Sequence, residues 1–534
     1  MGARKLIYSR VALLNPMEGV FYKHTLFFCL HSFFFCIYAI FFVPLHPISH
    51  KNIYTTMKMY RLTLLLLVFA GLLSACSSGE DYREPKSEED LSGLVLAASN
   101  GSYYQQKYEK RADVQLFLVS NEADGVQAVR QGHADVYVSD EVMLTKDDLK
   151  RLGMKKAFVG DECFDVAFAI RKGNTEIAAQ LNAFLASAPL EAITNYWING
   201  GPYTEEPAYT IPEGTKPLRC VCGVNIAPIS YVGEGGEWQG LDADILRRFA
   251  HSIGRPFEMQ FMDVGSAIMA INTGKADVFS GCLFVTEERQ KSMDFSAPYY
   301  KCHPGYFIVD HSRDARMGLG ERIQMNLIKE NRIKLIWDGL VETVKITLFA
   351  ILLGTVLGIG VCACRRSKRR WVRGLADLYG DFINGIPTLV LLLILFYVVF
   401  ANSGMSATLV AIVAFAMCFA SSAGSIFDTS ISAVPKGQTE AGLSLGFTPF
   451  KTFMGIVFPQ ALRKGLPLYT GECISLLKNT SIVGYIAIAD LTRASDLIRS
   501  RTFDALIPLL VITIIYFILA WLIRKTLNLC LLRK

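Results

Sequence analysis

GQTEAGLSLGFTPFKTFMGIVFP, residues 437–459, lies between long apolar runs but is not apolar in their manner: it holds Glu440, Lys451, four glycines and two prolines. Around it, charge is absent from Lys345 to Arg365, from Phe382 to Phe427 (broken near ANSGMS at 401–406) and from Asp504 to Arg524. A weaker apolar stretch, 466–490, contains Glu472 and Lys478. Apolar runs near twenty residues long read as membrane helices, because a helix satisfies its own backbone hydrogen bonds within lipid. Five spans result. Arg365, Arg366, Lys368, Arg369, Arg370 and Arg373 crowd the loop after the first span, and such basic clusters mark the cytoplasmic side. Counting on, residues 437–459 and the tail with Arg524, Lys525, Arg533 and Lys534 fall in the cytoplasm. Everything before the first span falls outside. The quoted segment then reads as a cytoplasmic helix–turn–helix: Glu440 to Leu445, a break at Gly446, and a second helix ending near Pro459.

The rest of the chain has a different character. Of 534 residues, 51% are hydrophobic and 19% charged, too apolar for an ordinary soluble protein and too charged for one wholly in the membrane. Residues from about 80 to 335 read as soluble and 336–530 as membrane. The net charge of +6 gathers beside a span, as a topology signal does, so no nucleic-acid partner is expected. The thirteen cysteines include no CxxC pair and no zinc-type spacing, so no metal is expected. Disulfides among Cys163, Cys220, Cys222, Cys282 and Cys302 stay open if that region is extracytoplasmic.

At the N-terminus, MKMYRLTLLLLVFAGLLSAC (57–76) has the basic start, short apolar core and small-residue end of a secretory signal. Its ending resembles the bacterial lipobox, which implies a lipid on Cys76; an uncleaved signal anchor is the alternative. Residues 77–90 read as a flexible tether. A Phe-rich run within residues 1–56 precedes this complete signal, which makes little physical sense, so residues 1–56 are expected to be a spurious extension and translation to start at Met57 or Met59.

The pattern Glu440-Ala441-Gly442, Gly446, Ile456, Pro459 resembles the EAA loop of ABC importer permeases, with Gly442 where the family usually has alanine. The resemblance implies a coupling helix seated on a separate ATPase subunit, which would carry ATP and Mg; this chain has no GxxxxGK[ST] and so no cofactor of its own. GDFINGIPTLVLLLILFYV (380–398) and LLKNTSIVGYIAIADL (476–491) look like segments of polar amino-acid permeases, with Asn384 in place of arginine and Asn479 in place of aspartate. Permeases of this family pair, which implies a homodimer. Glu472 and Lys478 stand near membrane depth, where charge is costly and faces a cavity or partner, and are candidates for the translocation path; interfacial placement is the alternative.

The soluble half resembles an amino-acid-binding protein of the periplasmic type, an α/β fold of two lobes, with the lobes in reversed order. KPLRCVCGVNIAPISYV (216–232), GEWQGLDADILRRFAHSIG (236–254) and INTGKADVFSGCLFVTEERQKSMDFSAPYY (271–300) look like lobe one. Within the last, Thr286 opens a TxER pattern whose arginine, here Arg289, binds the ligand α-carboxylate in the family. A planar guanidinium suits that task because it donates two parallel bonds. LSGLVLAASNGSYYQQKY (91–108) and GVQAVRQGHADVYVSDEVML (125–144) look like lobe two; Gly101 and Ser102 match a ligand-facing GT pair, and Asp140 the partner of the α-ammonium. Ile226 and Val264 stand where glutamine-type binders place aromatics. Residues 91–199 are thus lobe two plus a return crossing, 200–217 a Pro- and Gly-rich connection, and 217–310 lobe one. The strand at 304–310, which in the usual order enters lobe two, is expected to run toward the membrane through a linker at 311–335. One circularly permuted domain (91–310) is the reading, since domain termini lie close together; two truncated domains are the rival.

These features point to a non-enzymatic transport subunit: a receptor fused to an all-α, five-helix permease, importing a polar amino acid across a bacterial inner membrane, with the binding domain periplasmic and lipid as surroundings. A ligand-gated channel with a glutamate-receptor-like domain is the alternative. Such channels insert the pore between the lobes, whereas here the spans follow both.

Overall fold

A computed structural model describes residues 84–532 apart from 234–235, 313–316 and 402. The expected start site, the signal peptide, Cys76 and most of the tether lie outside the described residues.

The first sheet has the order β2-β1-β3-β14-β4, made by β1 (Val95–Ser99), β2 (Gln115–Val119), β3 (Val136–Asp140), β4 (Met154–Val159) and β14 (Pro304–Val309). The central strand β3, VYVSD, is buried along its whole length, as a strand covered on both faces must be. β1 runs parallel to β2 and β3, and β14 antiparallel to β3 and β4. The second sheet has the order β10-β7-β11-β6-β12: β6 (Ala169–Arg171), β7 (Leu218–Cys222), β10 (Phe257–Phe261), β11 (Val278–Ser280) and β12 (Met293–Phe295). Between the sheets, β5 (Phe164–Val166) pairs antiparallel with β13 (Tyr300–Cys302) as a two-stranded hinge.

The chain passes between these sheets more than once. Residues 95–159 build most of lobe two. The chain crosses at β5, inserts β6 antiparallel between β11 and β12 of lobe one, and adds the helices Thr175–Ser187 and Leu190–Asn199. It then builds lobe one and returns at β13. Each segment donates a strand to the other's sheet, β6 to lobe one and β14 to lobe two. The strand at 304–310 departs from expectation. It does not leave directly for the membrane but first enters lobe two, where its buried run PGYFIV fills the place between β3 and β4. Without it both neighbours would present open edges.

The second half is helical. Ile333–Arg365, Ala407–Ser432 and Leu506–Leu529 are each long and apolar enough to span a membrane; with each of two bent pairs, Arg370–Gly385 with Thr388–Val399 and Pro449–Ile486 with Leu491–Thr502, counted as one span, the number is up to five. The first bend is 102° and falls at Ile386-Pro387, since a proline excludes helical backbone in the residue before it. The span expected to begin at Phe382 is therefore interrupted: Phe382 belongs to an amphipathic helix that buries Ala376, Gly380 and Ile383. Ile333–Arg365 and Ala407–Ser432 pack closely because small residues face each other: a Cβ on Gly354 would lie 2.9 Å from Ala416 O, and one on Gly358 3.0 Å from Ala423 Cβ. At about 1.5 Å per residue, the 33-residue helix Ile333–Arg365 separates its two ends by roughly 50 Å.

The second helix of the 437–459 segment does not end at Pro459. A short helix Pro449–Thr452 and a π-turn Phe453–Val457 pass straight into Phe458–Asn479. Pro459 follows the π-turn as the second residue of Phe458–Asn479.

Candidate functional site

Between the lobes lies a cavity of about 90 Å³. Its walls come from the carboxyl ends of parallel strands and the helix N-termini that follow them, where α/β sheets present ligand sites. From lobe two, β1 ends in Ser99 and a turn through Gly101 (φ 76°) into the helix Tyr103–Tyr108, capped by Ser102, whose hydroxyl accepts from Gln105 N at 3.2 Å. β3 ends in Asp140, 6% exposed. From lobe one, Thr286 caps the helix Glu287–Ser292 by accepting from Arg289 N at 3.3 Å, which sets Arg289 in the first turn.

Arg289 reaches across the cleft. It donates to Phe284 O at 3.2 Å within its own lobe and to Gly101 O at 3.3 Å in the other, so the lobes are closed on each other. Opposite it, Asp140 accepts from Tyr104 Oη at 2.7 Å. Burial pushes the Asp140 carboxyl up to about 6, against the pull of Tyr104, Cys282 and Arg289. Burial likewise lowers Arg289, with Asp140 opposing the shift. A second acid, Glu122, lines the same cavity; burial and Asp140 push it up to about 7. One cation and one anion supplied by opposite lobes can hold a small zwitterion by its two ends.

Of the seven ligand-binding residues read from the sequence, Arg289, Asp140, Gly101, Ser102 and Val264 line the cavity. The other two lie elsewhere. Thr286 acts as a helix cap. Ile226 is 1% exposed in the core, its N–H donating to Ser230 O. The sequence reading passed over Tyr103, Tyr104, Glu122, Cys282 and Phe284, all of which line the cavity. Tyr103 and Phe164 have centroids 4.6 Å apart, and Phe164 and Phe284 also 4.6 Å. The aromatic surface missing at Ile226 and Val264 is thus supplied from other positions. The doublet Tyr103-Tyr104 directly after Gly101-Ser102 was the available signal.

The closed domain rests on the helical half. The helix Leu491–Thr502, begun by Asp490, which caps Thr492 N and Arg493 N, touches both lobes. From lobe one, Asn225 Nδ2 donates to Leu497 O at 3.0 Å and Ser500 Oγ at 2.8 Å, next to the cavity-lining Gly223 and Val224. Arg493 donates to Phe261 O at 2.7 Å and lies over its ring. From lobe two, Asp124 pairs with Arg499 at 3.1 Å, Arg151 donates to Thr502 O at 2.7 Å, and Gln127 donates to Phe503 O. The Phe503 side chain, 2% exposed, is part of the lobe core. Arg322 forks onto Asp504 at 2.9 and 2.5 Å, fastening the connecting segment at the same place. Lobe one makes a further seat, with Lys275 Nζ donating to Phe400 O at 2.9 Å.

At the far end of Ile333–Arg365 stand the basic cluster and the 437–459 loop: Arg366 pairs with Asp428 at 2.8 Å, and Lys464 donates to Ala433 O at 2.6 Å. The helix Lys436–Ser444 carries Glu440 and Ala441 exposed and Gly442 buried, and ends at Gly446 with φ 83°. A Cβ on Gly442 would meet Thr452 Cγ2 at 2.6 Å, which accounts for glycine at that position. Leu445 and Phe450 are 75% and 74% exposed. Glu472 is half-buried and Lys478 exposed, both on Phe458–Asn479.

Comparison with known proteins agrees with this architecture. The pattern of the bacterial extracellular solute-binding proteins, family 3, matches residues 218–451; the match runs past β14 into helices, and the strands themselves place the two-lobed fold at 95–309. The L-cystine transport system permease protein TcyB of Bacillus subtilis is 32% identical over 207 residues, 38% of this chain and 88% of that protein. The arginine transport system permease protein ArtQ of the same organism is 30% identical over 190 residues, covering 35% and 87%. A crystal structure of an amino acid ABC transporter with histidines is 33% identical, covering 38% of this chain and 95% of that one, with a TM-score of 0.35. The chain belongs to the amino-acid ABC transporter permeases, and it carries a solute-binding domain fused ahead of its permease half.

Proposed function

We propose that this chain is the combined receptor and permease of an ATP-driven importer of a polar amino acid, set in a bacterial inner membrane with its binding domain periplasmic. The observation that carries the reading is the closed cleft, with Arg289 and Asp140 from opposite lobes, seated through Asn225 and Phe503 on a helix of the permease half. Arg289 takes the α-carboxylate and Asp140 the α-ammonium. Glu122 leaves one acid unmatched by those two groups, which favours a ligand whose side chain brings a hydrogen-bond donor. Closure is a hinge motion at β5 and β13, driven by contacts made only in the closed state.

ATP and Mg act on a separate ATPase that grips the 437–459 loop. Exposed Phe450, with exposed Leu445 at the same end far from the receptor, suits this, because aromatic residues are enriched in the cores of such interfaces. Two permease halves pair as a homodimer. The full chain in detergent, titrated calorimetrically against the twenty amino acids and then assayed with its ATPase for ligand-stimulated hydrolysis, tests the reading; steady ligand-gated currents without ATP would replace it with a channel. Leu445→Asp with Phe450→Asp leaves amino-acid affinity unchanged and weakens ATPase capture by about thirtyfold or more, the equivalent of a hot-spot loss near 2 kcal/mol. Capture at parental strength in the double variant would move the coupling surface elsewhere.

Affinity depends on pH with a definite sign. Asp140 must be ionised to accept an ammonium, and in the empty cleft it ionises near 6. Affinity is therefore full above about pH 7 and falls below 6, by up to about tenfold per pH unit as the carboxylate is lost. A flat profile between pH 5 and 8 would remove Asp140 from the ammonium site.

A further inference from the structure

Three buried side chains that the transport reading uses only in part converge at the cleft: Asp140, Cys282 and Cys302 present a carboxylate oxygen and two sulfurs that all lie within 4.8 Å of one another. They come from three parts of the moving domain. Asp140 ends β3 of lobe two, Cys282 follows β11 of lobe one, and Cys302 is the last residue of hinge strand β13, 0% exposed. We propose that they form a site for a thiophilic divalent cation of the zinc class, which bolts the cleft shut and occupies the carboxylate that would receive an amino acid.

The chemistry of the donors suits such an ion. Two thiolates and one carboxylate leave a tetrahedral position, and that position faces the cavity, which both Asp140 and Cys282 line. A zinc–sulfur bond of about 2.3 Å sets sulfurs in a tetrahedron roughly 3.8 Å apart, so the two sulfurs, already within 4.8 Å, need contract by about an ångström or less. As the metal–sulfur bonds form, the two thiol protons leave to solvent. Sulfur donors select zinc-class ions over magnesium or calcium.

The supports are in place. Tyr104 Oη holds Asp140 at 2.7 Å, the outer hydrogen bond that orients a metal-binding carboxylate. Cys282 sits in the left-handed region, φ 54°, a costly conformation for a residue with a Cβ and one that clusters at working sites. It is pinned there by Asp242, which accepts from Gly281 N at 2.9 Å and from Tyr299 Oη. Opening the hinge would separate Asp140 from Cys282, so the ion would bind the closed form and hold it. The exclusion of the amino acid rests on the proposed role of Asp140; the metal site does not.

The test is titration of the reduced full chain in detergent with cadmium chloride, followed by the sulfur-to-cadmium absorption. One equivalent should be bound in a form lost, or weakened by about tenfold or more, in Cys282→Ser and in Cys302→Ser, and retained in a control change at exposed Cys163. Because Cys302 is fully buried, Cys302→Ala is a second variant, with thermal unfolding as the check on folding. Cadmium bound alike by the parent and by either Cys282 or Cys302 variants overturns the proposal. So does alkylation mapping of chain purified without reductant that finds Cys282 and Cys302 joined as a disulfide. A mixture of the standard amino acids without cysteine and histidine, which chelate cadmium themselves, should displace the bound cadmium; failure to compete, with the cysteine-dependent site intact, would count against the ammonium role of Asp140 and leave the metal site standing.

Discussion

Arg289→Ala weakens amino-acid binding by about thirtyfold or more. The guanidinium is half-buried, faces Asp140 across the cleft, and already spends donors on Phe284 O and Gly101 O. Removing one member of a desolvated charge pair costs about 2–5 kcal/mol, roughly thirty- to several-thousand-fold in affinity, because the partner is left without its counter-charge. Arg289→Lys keeps the charge but not the planar fork, and recovers only part of the loss. A merely structural arginine, one that only latches the lobes, would give the same first result, so a second measurement is needed. The parent chain should reject an amino acid whose α-carboxylate is converted to an amide, and Arg289→Ala should no longer distinguish acid from amide. Equal affinity of the parent for both would show that Arg289 meets no carboxylate.

How much of this was legible beforehand follows from which features are local. The TxER run places Thr286 and Arg289 three residues apart, the spacing of a helix cap and its first turn. Its geometry is fixed within seven residues of chain, and the structure has it. The two-lobed fold was readable because each strand–turn–helix unit keeps its own pattern wherever it stands in the chain. The destination of β14 was not. The usual lobe order sends PGYFIV into lobe two, but the gap between β3 and β4 that receives it exists only once both strands are in place, and the nearby span drew the reading toward the membrane. Ile226 fails for a similar reason: its neighbour Asn225 turns to Leu497 and Ser500, some 270 residues away, and so sets which residues of the loop face the cavity. The bend at Ile386-Pro387 was legible in principle, since proline excludes helix in the residue before it, but the uncharged run through it read as one span. Glycine at 442 is explained only by Thr452 packed against it.

The other large effect concerns transmission. In Asn225→Ala combined with Phe503→Ala, the amino acid binds with an affinity within about threefold of the parent, since neither residue lines the cavity, yet ligand-driven uptake falls by more than about tenfold. Phe503 is the plug that seats lobe two: its ring lies in the lobe core, and its carbonyl accepts from Gln127. Truncating a buried phenylalanine costs about 3–5 kcal/mol. Asn225 is the corresponding anchor of lobe one, 2% exposed and spending both ends of its amide, on Leu497 and Ser500 and on Val232 N. With both anchors gone, the receptor remains tethered by the chain at 311–332, so its local concentration stays high. What is lost is the rigid path by which the hinge and the helix Leu491–Thr502 move together. Restoring one anchor at a time separates the contributions: Phe503→Ala alone should depress uptake more than Asn225→Ala alone, because the ring buries more apolar surface than the amide. Uptake at parental rate in the double variant, with closure of the cleft intact, would mean that the lobes signal the permease through their remaining contacts, Arg493 with Phe261, Arg499 with Asp124 and Arg151 with Thr502, or through the Lys275–Phe400 seat.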